Sequence, residues 1–163
     1  MTPDPHRLVT CSEPTAANLA YLKTVPKDAM NSLTITVPIP DKALHPNSRV
    51  HWAQKAKATK LSRDRGHAAA VIGMVDVGMN GPRGPKWPAA SVRATFYVKD
   101  KRGMSADIDG RISSLKATMD GIADAGVVVN DRVLTWRAVE HRIDKANPRV
   151  ELTITPLTEE KEA

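Results

Sequence analysis

The chain reads as an α+β domain, a mixed β-sheet with two main helices packed on it in the order β-α-β-α-β-β-β. Three observations predict this. Short runs such as 33–37 and 150–154 alternate apolar and polar residues, the period of strands with one buried face. Two longer stretches, 50–75 and 109–125, change to the helical period. Apolar residues make up 41% of the 163 positions but aromatics only 4%, so one aliphatic core of ordinary size is expected.

The elements follow in order. Residues 1–31 mix Pro, Thr, Ser and Asn without a sustained period. They read as a poorly ordered extension with a short helical piece at 16–23. The single cysteine, Cys11, lies there and excludes an internal disulfide framework. Leu33 to Val37 is the first strand, ended by Pro38 and Pro40. Pro46-Asn47-Ser48 offers turn and N-cap chemistry. In the helix over 50–75, Leu61, Ala68, Ile72 and Val75 fall within an arc of about 60°. They are the expected core face, with Lys55, Lys60 and Arg63 opposite and Trp52 expected to anchor the helix to the core.

Residues 78–88 hold three Gly and three Pro and must be a loop. A strand over 91–99 and a basic loop over 100–105 follow. The second helix starts near Asp109, with an apolar stripe of Ile112, Leu115, Met119 and Ile122, and Gly126 ends it as a C-cap residue. Val127 to Val129 reads as a short buried strand, 132–142 as the next, and Asn147-Pro148 as a turn. The last strand carries Val150, Leu152 and Ile154 and closes at Pro156. The folded domain is thus 32–156, followed by an acidic tail over 157–163.

The formal net charge is +6. The extension is neutral and the tail acidic, so residues 32–156 carry +8. A basic domain is drawn to nucleic acid or anionic surfaces. Lys55, Lys57, Lys60, Arg63 and Arg65 on the first helix, extended by Arg49, Lys101 and Arg102, are the expected phosphate contacts. The alternative is a solvated helix face. No apolar run approaches the roughly 20 residues that span a bilayer, and no basic-then-apolar signal opens the chain. A cytoplasmic protein without a membrane partner is expected.

Against this basic background, 107–131 concentrates acids. Asp107 and Asp109 are two residues apart at the mouth of a helix, and in extended chain such side chains point the same way. Two carboxylates so placed suit Mg²⁺, a hard cation that takes a few oxygen ligands. Lys116, two turns on, could stabilise charge on a phosphate or pair with Asp120. Asp131 follows the helix; a helix of about 16 residues rises about 24 Å, so Asp131 joins the pair only if the chain curls back. Singly, each has a plainer reading: a cap for Asp107 or Asp109, a turn for Asn130-Asp131, and a solvated side chain for Lys116.

Taken together, Asp107-Ile-Asp109-Gly110, Lys116-Ala-Thr-Met-Asp120-Gly-Ile, Ala125-Gly126-Val127 and Asn130-Asp131 resemble the RusA-type Holliday junction resolvases. Leu33-Thr-Ile-Thr-Val-Pro-Ile-Pro, Pro46-Asn47, His51-Trp52 and Arg149-Val-Glu-Leu-Thr-Ile extend the resemblance over about 32–156. It implies a homodimeric, Mg²⁺-dependent endodeoxyribonuclease, with Mn²⁺ as a substitute, that makes paired nicks in four-way DNA junctions during recombination and repair, typically phage or prophage encoded. By position, Asp107, Asp109 and Asp131 would be the metal-binding carboxylates and Lys116 the catalytic lysine. The pattern departs at Gly110 and Asn130, and by about three extra residues between Asp109 and Lys116. Rival expectations are a nuclease for flaps and forks, and a DNA-binding module without catalysis.

Overall fold

The computed structural model describes residues 32–79, 85–104 and 107–157. The expectations for the N-terminal extension, Cys11 and most of the acidic tail lie outside these residues. β1 (Leu33–Val37), β2 (Ala90–Val98), β3 (Leu134–Ile143) and β4 (Arg149–Pro156) form one mixed sheet in the order β1-β4-β2-β3. β4 runs antiparallel to both β1 and β2, while β2 and β3 are parallel. That parallel pair requires a crossover between its strands. The crossover contains the short helix α2 (Lys101–Met104), then α3 (Ile108–Ser114) and α4 (Lys116–Asp124). The long helix α1 (Trp52–Asp76) joins β1 to β2.

The alternation read from the sequence sets which sheet face is buried. Leu33, Ile35 and Val37, then Val92, Ala94 and Phe96, then Val150, Leu152 and Ile154 are all fully or almost fully buried. Thr34, Thr36 and Arg93 between them are exposed. The expected helical stripe is also buried at Leu115, Met119 and Ile122. Gly126 takes φ +90°, the left-handed conformation that ends a helix.

Several expectations change. Val127 to Val129 is not a strand; Val128 makes an isolated parallel bridge to Trp87, so the sheet has four strands among the described residues. The stretch before β3 begins with a 3-10 turn at Asp131–Val133. The basic loop contains α2. The second helix is broken at Leu115, whose amide is shared between the carbonyls of Arg111 and Ile112. The N-cap of α1 is His51, whose Nδ1 accepts from the Ala53 amide at 3.3 Å.

The largest correction concerns α1. Its buried positions are Gly66, Ala70 and Met74, whereas Leu61, Ile72 and Val75 are 46%, 61% and 50% exposed. The face expected to be core therefore points away from it. The cause is close backbone contact. A Cβ on Gly66 would strike the backbone carbonyl of Thr118, and a Cβ on Gly121 would strike that of Arg63. α1 and α4 approach through these glycines and a hydrogen bond of 2.8 Å between Ser62 and Thr118. Bulky aliphatic residues have no room on that face. Trp52, expected in the core, is 76% exposed because α1 overhangs the domain at its start: every residue from His51 to Lys57 is exposed.

Candidate functional site

Asp107 and Asp109 lie where the chain comes off the far end of β2 and enters α3. Asp107 is the N-cap: its two carboxylate oxygens accept from the amides of Asp109 and Gly110, each at 3.2 Å. Such a cap satisfies amides that the first helical turn leaves unpaired. Asp109 stands in the first turn of α3, where a negative charge meets the positive end of the helix dipole. Both residues are exposed. Arg111, one turn on, is half-buried; it donates to the Gly103 carbonyl at 2.8 Å and lies 4.9 Å above the Phe96 ring. It thereby ties α3 to α2 and to the end of β2.

A histidine reaches the same mouth from the other side of the domain's sequence. The 3-10 turn at Lys42–Leu44, capped by Asp41, ends at His45 and delivers it there. The side-chain atoms bordering the place where a Cβ on Gly110 would sit are His45 Nε2, His45 Cε1 and Asp107 Oδ2. Sequence reasoning missed His45. The available signal was Gly110 itself, a glycine inside a helix, which costs about 1 kcal/mol relative to Ala and so asks for a packing reason.

Asp131 does not join this group. It opens the 3-10 turn before β3, and Leu134 pairs with Ala90 at the beginning of β2. Asp107 comes after the other end of that nine-residue strand, which spans about 26 Å at 3.3 Å per residue. The curl that would gather the three carboxylates does not occur within one chain. Among the described residues, no group of three His, Cys, Asp or Glu side chains is arranged to hold a metal ion. Asp131 instead borders an open hollow with Arg63, Asp120, Asp124, Val129 and Asn130. Arg63 makes a two-pronged ion pair with Asp124, one arm at 3.0 Å. This hydrogen-bonded charge pair holds the Asp124 carboxyl below the usual carboxylate range and raises Arg63 above its own.

The remaining expected residues are spread over the surface. Lys116 is exposed as the first residue of α4, after the break at Leu115. Lys55 and Lys57 are on the overhanging start of α1, with Lys60 one turn further, and all three are exposed. Arg49 is exposed in the preceding loop, and Lys101 and Arg102 are exposed on α2. Arg65 lines a shallow groove with Pro38, Pro40, Asp41, Leu61 and Thr118. Arg63 is committed to Asp124. Among the described residues no helix is long and apolar enough to cross a membrane.

No family model matches the chain. It is 31% identical over 127 residues, 78% of each chain, to a protein of Xylella fastidiosa (strain Temecula1 / ATCC 700964) described as an uncharacterized protein. The chain belongs to the same family as that Xylella fastidiosa protein.

Proposed function

We propose that this chain is a Mg²⁺-dependent endodeoxyribonuclease of the RusA type, acting as a homodimer on four-way DNA junctions by paired symmetric nicks, with Mn²⁺ able to replace Mg²⁺. The observation that carries this reading is the exposed pair Asp107 and Asp109 at the start of α3, shortly after the basic helix α2. Carboxylates are hard oxygen donors, and the pair fits a divalent cation of that class. Asp131 stands outside the set within a single chain. When bound, the ion would supply positive charge against the oxygens of the scissile phosphate. Lys116 would add a second positive charge from the start of α4.

The cations of α1 support the DNA contact. Lys55, Lys57 and Lys60 crowd its first half, which overhangs the domain. The second half carries the exposed aliphatic residues Val71, Ile72 and Val75. A two-fold pairing of α1 helices through that second half would cover the aliphatic stripe and leave the lysines for phosphates. Two-fold symmetry also suits paired nicks in a two-fold substrate.

One observation favours a second reading, a DNA-binding module without catalysis. The Asp107 carboxylate already has a structural task as a cap. The deciding experiment compares a synthetic four-way junction, a flap and a linear duplex, each with Mg²⁺ or with EDTA. The proposal expects symmetric nicks in the junction only, and only with metal. Equal cutting of flaps identifies a broader nuclease, and binding without cutting identifies the module. Binding in EDTA should weaken with salt at a log–log slope near −0.9 per phosphate neutralised.

A further inference from the structure

We propose that Trp52 is a stacking platform for an unpaired nucleobase, and that it gives the chain a preference for DNA with unstacked bases over fully paired duplex. The inference rests on the nucleic-acid part of the reading above and does not depend on catalysis. Its starting point is the exposure of the ring. Trp52 is 76% exposed, more than any other large hydrophobic residue among those described. Tryptophan is highly buried on average, so an indole held this far into water asks for a partner. Nothing in the described domain blocks the approach, because every residue from His51 to Lys57 is exposed. The His51 ring lies 5.5 Å away and is tilted by 38°, so it borders the indole without stacking flat on it.

The surroundings select the kind of partner. Between Asp41 and Asp64 the chain carries six Lys or Arg residues and no acid. Lys55 and Lys60 fall on either side of Trp52, within about 80° of it at 100° per residue, and both are exposed. An aromatic ring bordered by cations is complementary to a polyanion that also presents flat apolar faces. Nucleic acid with unpaired bases is such a ligand: the cations follow its phosphates and the ring takes a base. The contact is left to side chains, because the helix end is already closed. His51 Nδ1 accepts from the Ala53 amide, and the Gln54 and Lys55 amides donate to the His51 carbonyl.

An anionic lipid surface would also attract the lysines, but a helix that lies in a membrane surface needs an apolar face to enter it. Residues 53–60 hold no apolar side chain larger than alanine. Paired DNA offers phosphates while its bases stay stacked on one another, so it gives the indole nothing to cover. A single-stranded arm or the open centre of a branched structure does. Phosphate contacts alone carry no such distinction, so the preference falls to Trp52.

The test measures binding of the full chain, in EDTA, to a single-stranded oligothymidylate and to a long, fully paired linear duplex. Trp52→Ala is expected to weaken oligothymidylate binding about tenfold, within the range of base–aromatic stacking, and to leave duplex binding nearly unchanged. Trp52→Phe keeps a flat ring and is expected to recover part of the loss. The side chain is exposed, so neither substitution should disturb the fold. Indole fluorescence gives a second readout. Trp87 and Trp136 are partly buried against the core, so oligothymidylate is expected to quench the unaltered chain and not Trp52→Ala. Full oligothymidylate affinity in Trp52→Ala, an equal loss on both DNAs, or no recovery in Trp52→Phe overturns the proposal. So does binding to phosphatidylserine–phosphatidylcholine vesicles that needs Trp52 when DNA binding does not. If the unaltered chain binds neither DNA, the nucleic-acid reading fails and takes this inference with it. If it binds both and Trp52→Ala changes neither, only the role of Trp52 is lost.

Discussion

The two ends of the α3–α4 stretch are both acidic, yet they are built differently. At the start, Asp107 and Asp109 are exposed at the amide end of a helix, beside His45 and close in sequence to the basic α2. At the finish, Asp120, Asp124 and Asp131 surround Arg63, which is paired with Asp124. The same residue type therefore has different prospects at the two ends. A carboxylate matched by a guanidinium has its charge largely neutralised, whereas the pair at the start of α3 is exposed and faces backbone amides of the first helical turn. The contrast also shows why acids close in sequence need not form one site: a broken helix and the length of β2 lie between them.

The second half of this stretch, α4, is seated on α1 through close glycine contacts. Gly121→Ala attacks it most directly, because the new methyl meets backbone atoms of Arg63 and His67, which cannot rotate away. A loss of about 3 kcal/mol or more is expected, at the upper end of overpacking effects. It would be read as a lower urea midpoint. An unchanged midpoint would mean that the close α1–α4 contact is not a feature of the folded protein.

A smaller effect concerns the packing beneath α3. His141 stacks on Phe96 at 5.5 Å between ring centroids, and its buried Nε2 has no hydrogen-bond partner among the described residues. Burial, with help from the Arg111 charge, holds its imidazole below the usual histidine range. The unfolded chain therefore takes up this proton at a higher pH than the folded one. Stability from this residue is fully present above the ordinary histidine range and is lost as pH falls through that range toward the lowered folded value. Urea midpoints should decline from about pH 7 to about pH 5, and His141→Phe should reduce that decline. An identical decline in the variant would remove His141 as its source.

The smallest effect belongs to the other end. Arg63→Ala removes an ion pair whose side chains are 52% and 44% exposed. Solvent screening leaves such exposed pairs with only a small effect on stability. The expected outcome is a small fall in the urea midpoint that shrinks further in about 1 M salt. A large loss would show that Arg63 organises the hollow and does more than neutralise it.

The sheet was legible because its strands keep one buried face, so the alternation of Leu33, Ile35 and Val37, or of Val150, Leu152 and Ile154, points directly at the core. The stripe ending at Ile122 was legible for the same reason. The orientation of α1 was not. Periodicity marks where bulky aliphatic residues lie, but α1 meets α4 through Gly66, which contributes nothing to such a pattern. The strand expected at 127–129 failed because only Val128 forms a bridge, to Trp87, and Pro85 and Pro88 flank that residue in sequence. For the site, the spacing of Asp107 and Asp109 marked the mouth of a helix correctly. It carried no information about His45, which arrives from about sixty positions earlier in the chain, or about the separation of Asp131.

The most direct test of the central claim is Mn²⁺ binding and Mg²⁺-dependent junction cleavage by Asp109→Asn and Asp131→Asn, measured side by side with the unaltered chain. Asp109→Asn is predicted to retain DNA binding while losing more than about 100-fold in metal affinity and cleavage, beyond the scale of an outer partner. Asp131→Asn is predicted to leave Mn²⁺ affinity within about twofold, the range of a surface change remote from the ion. Cleavage that survives in Asp109→Asn, or equal loss of metal from both variants, would contradict the account.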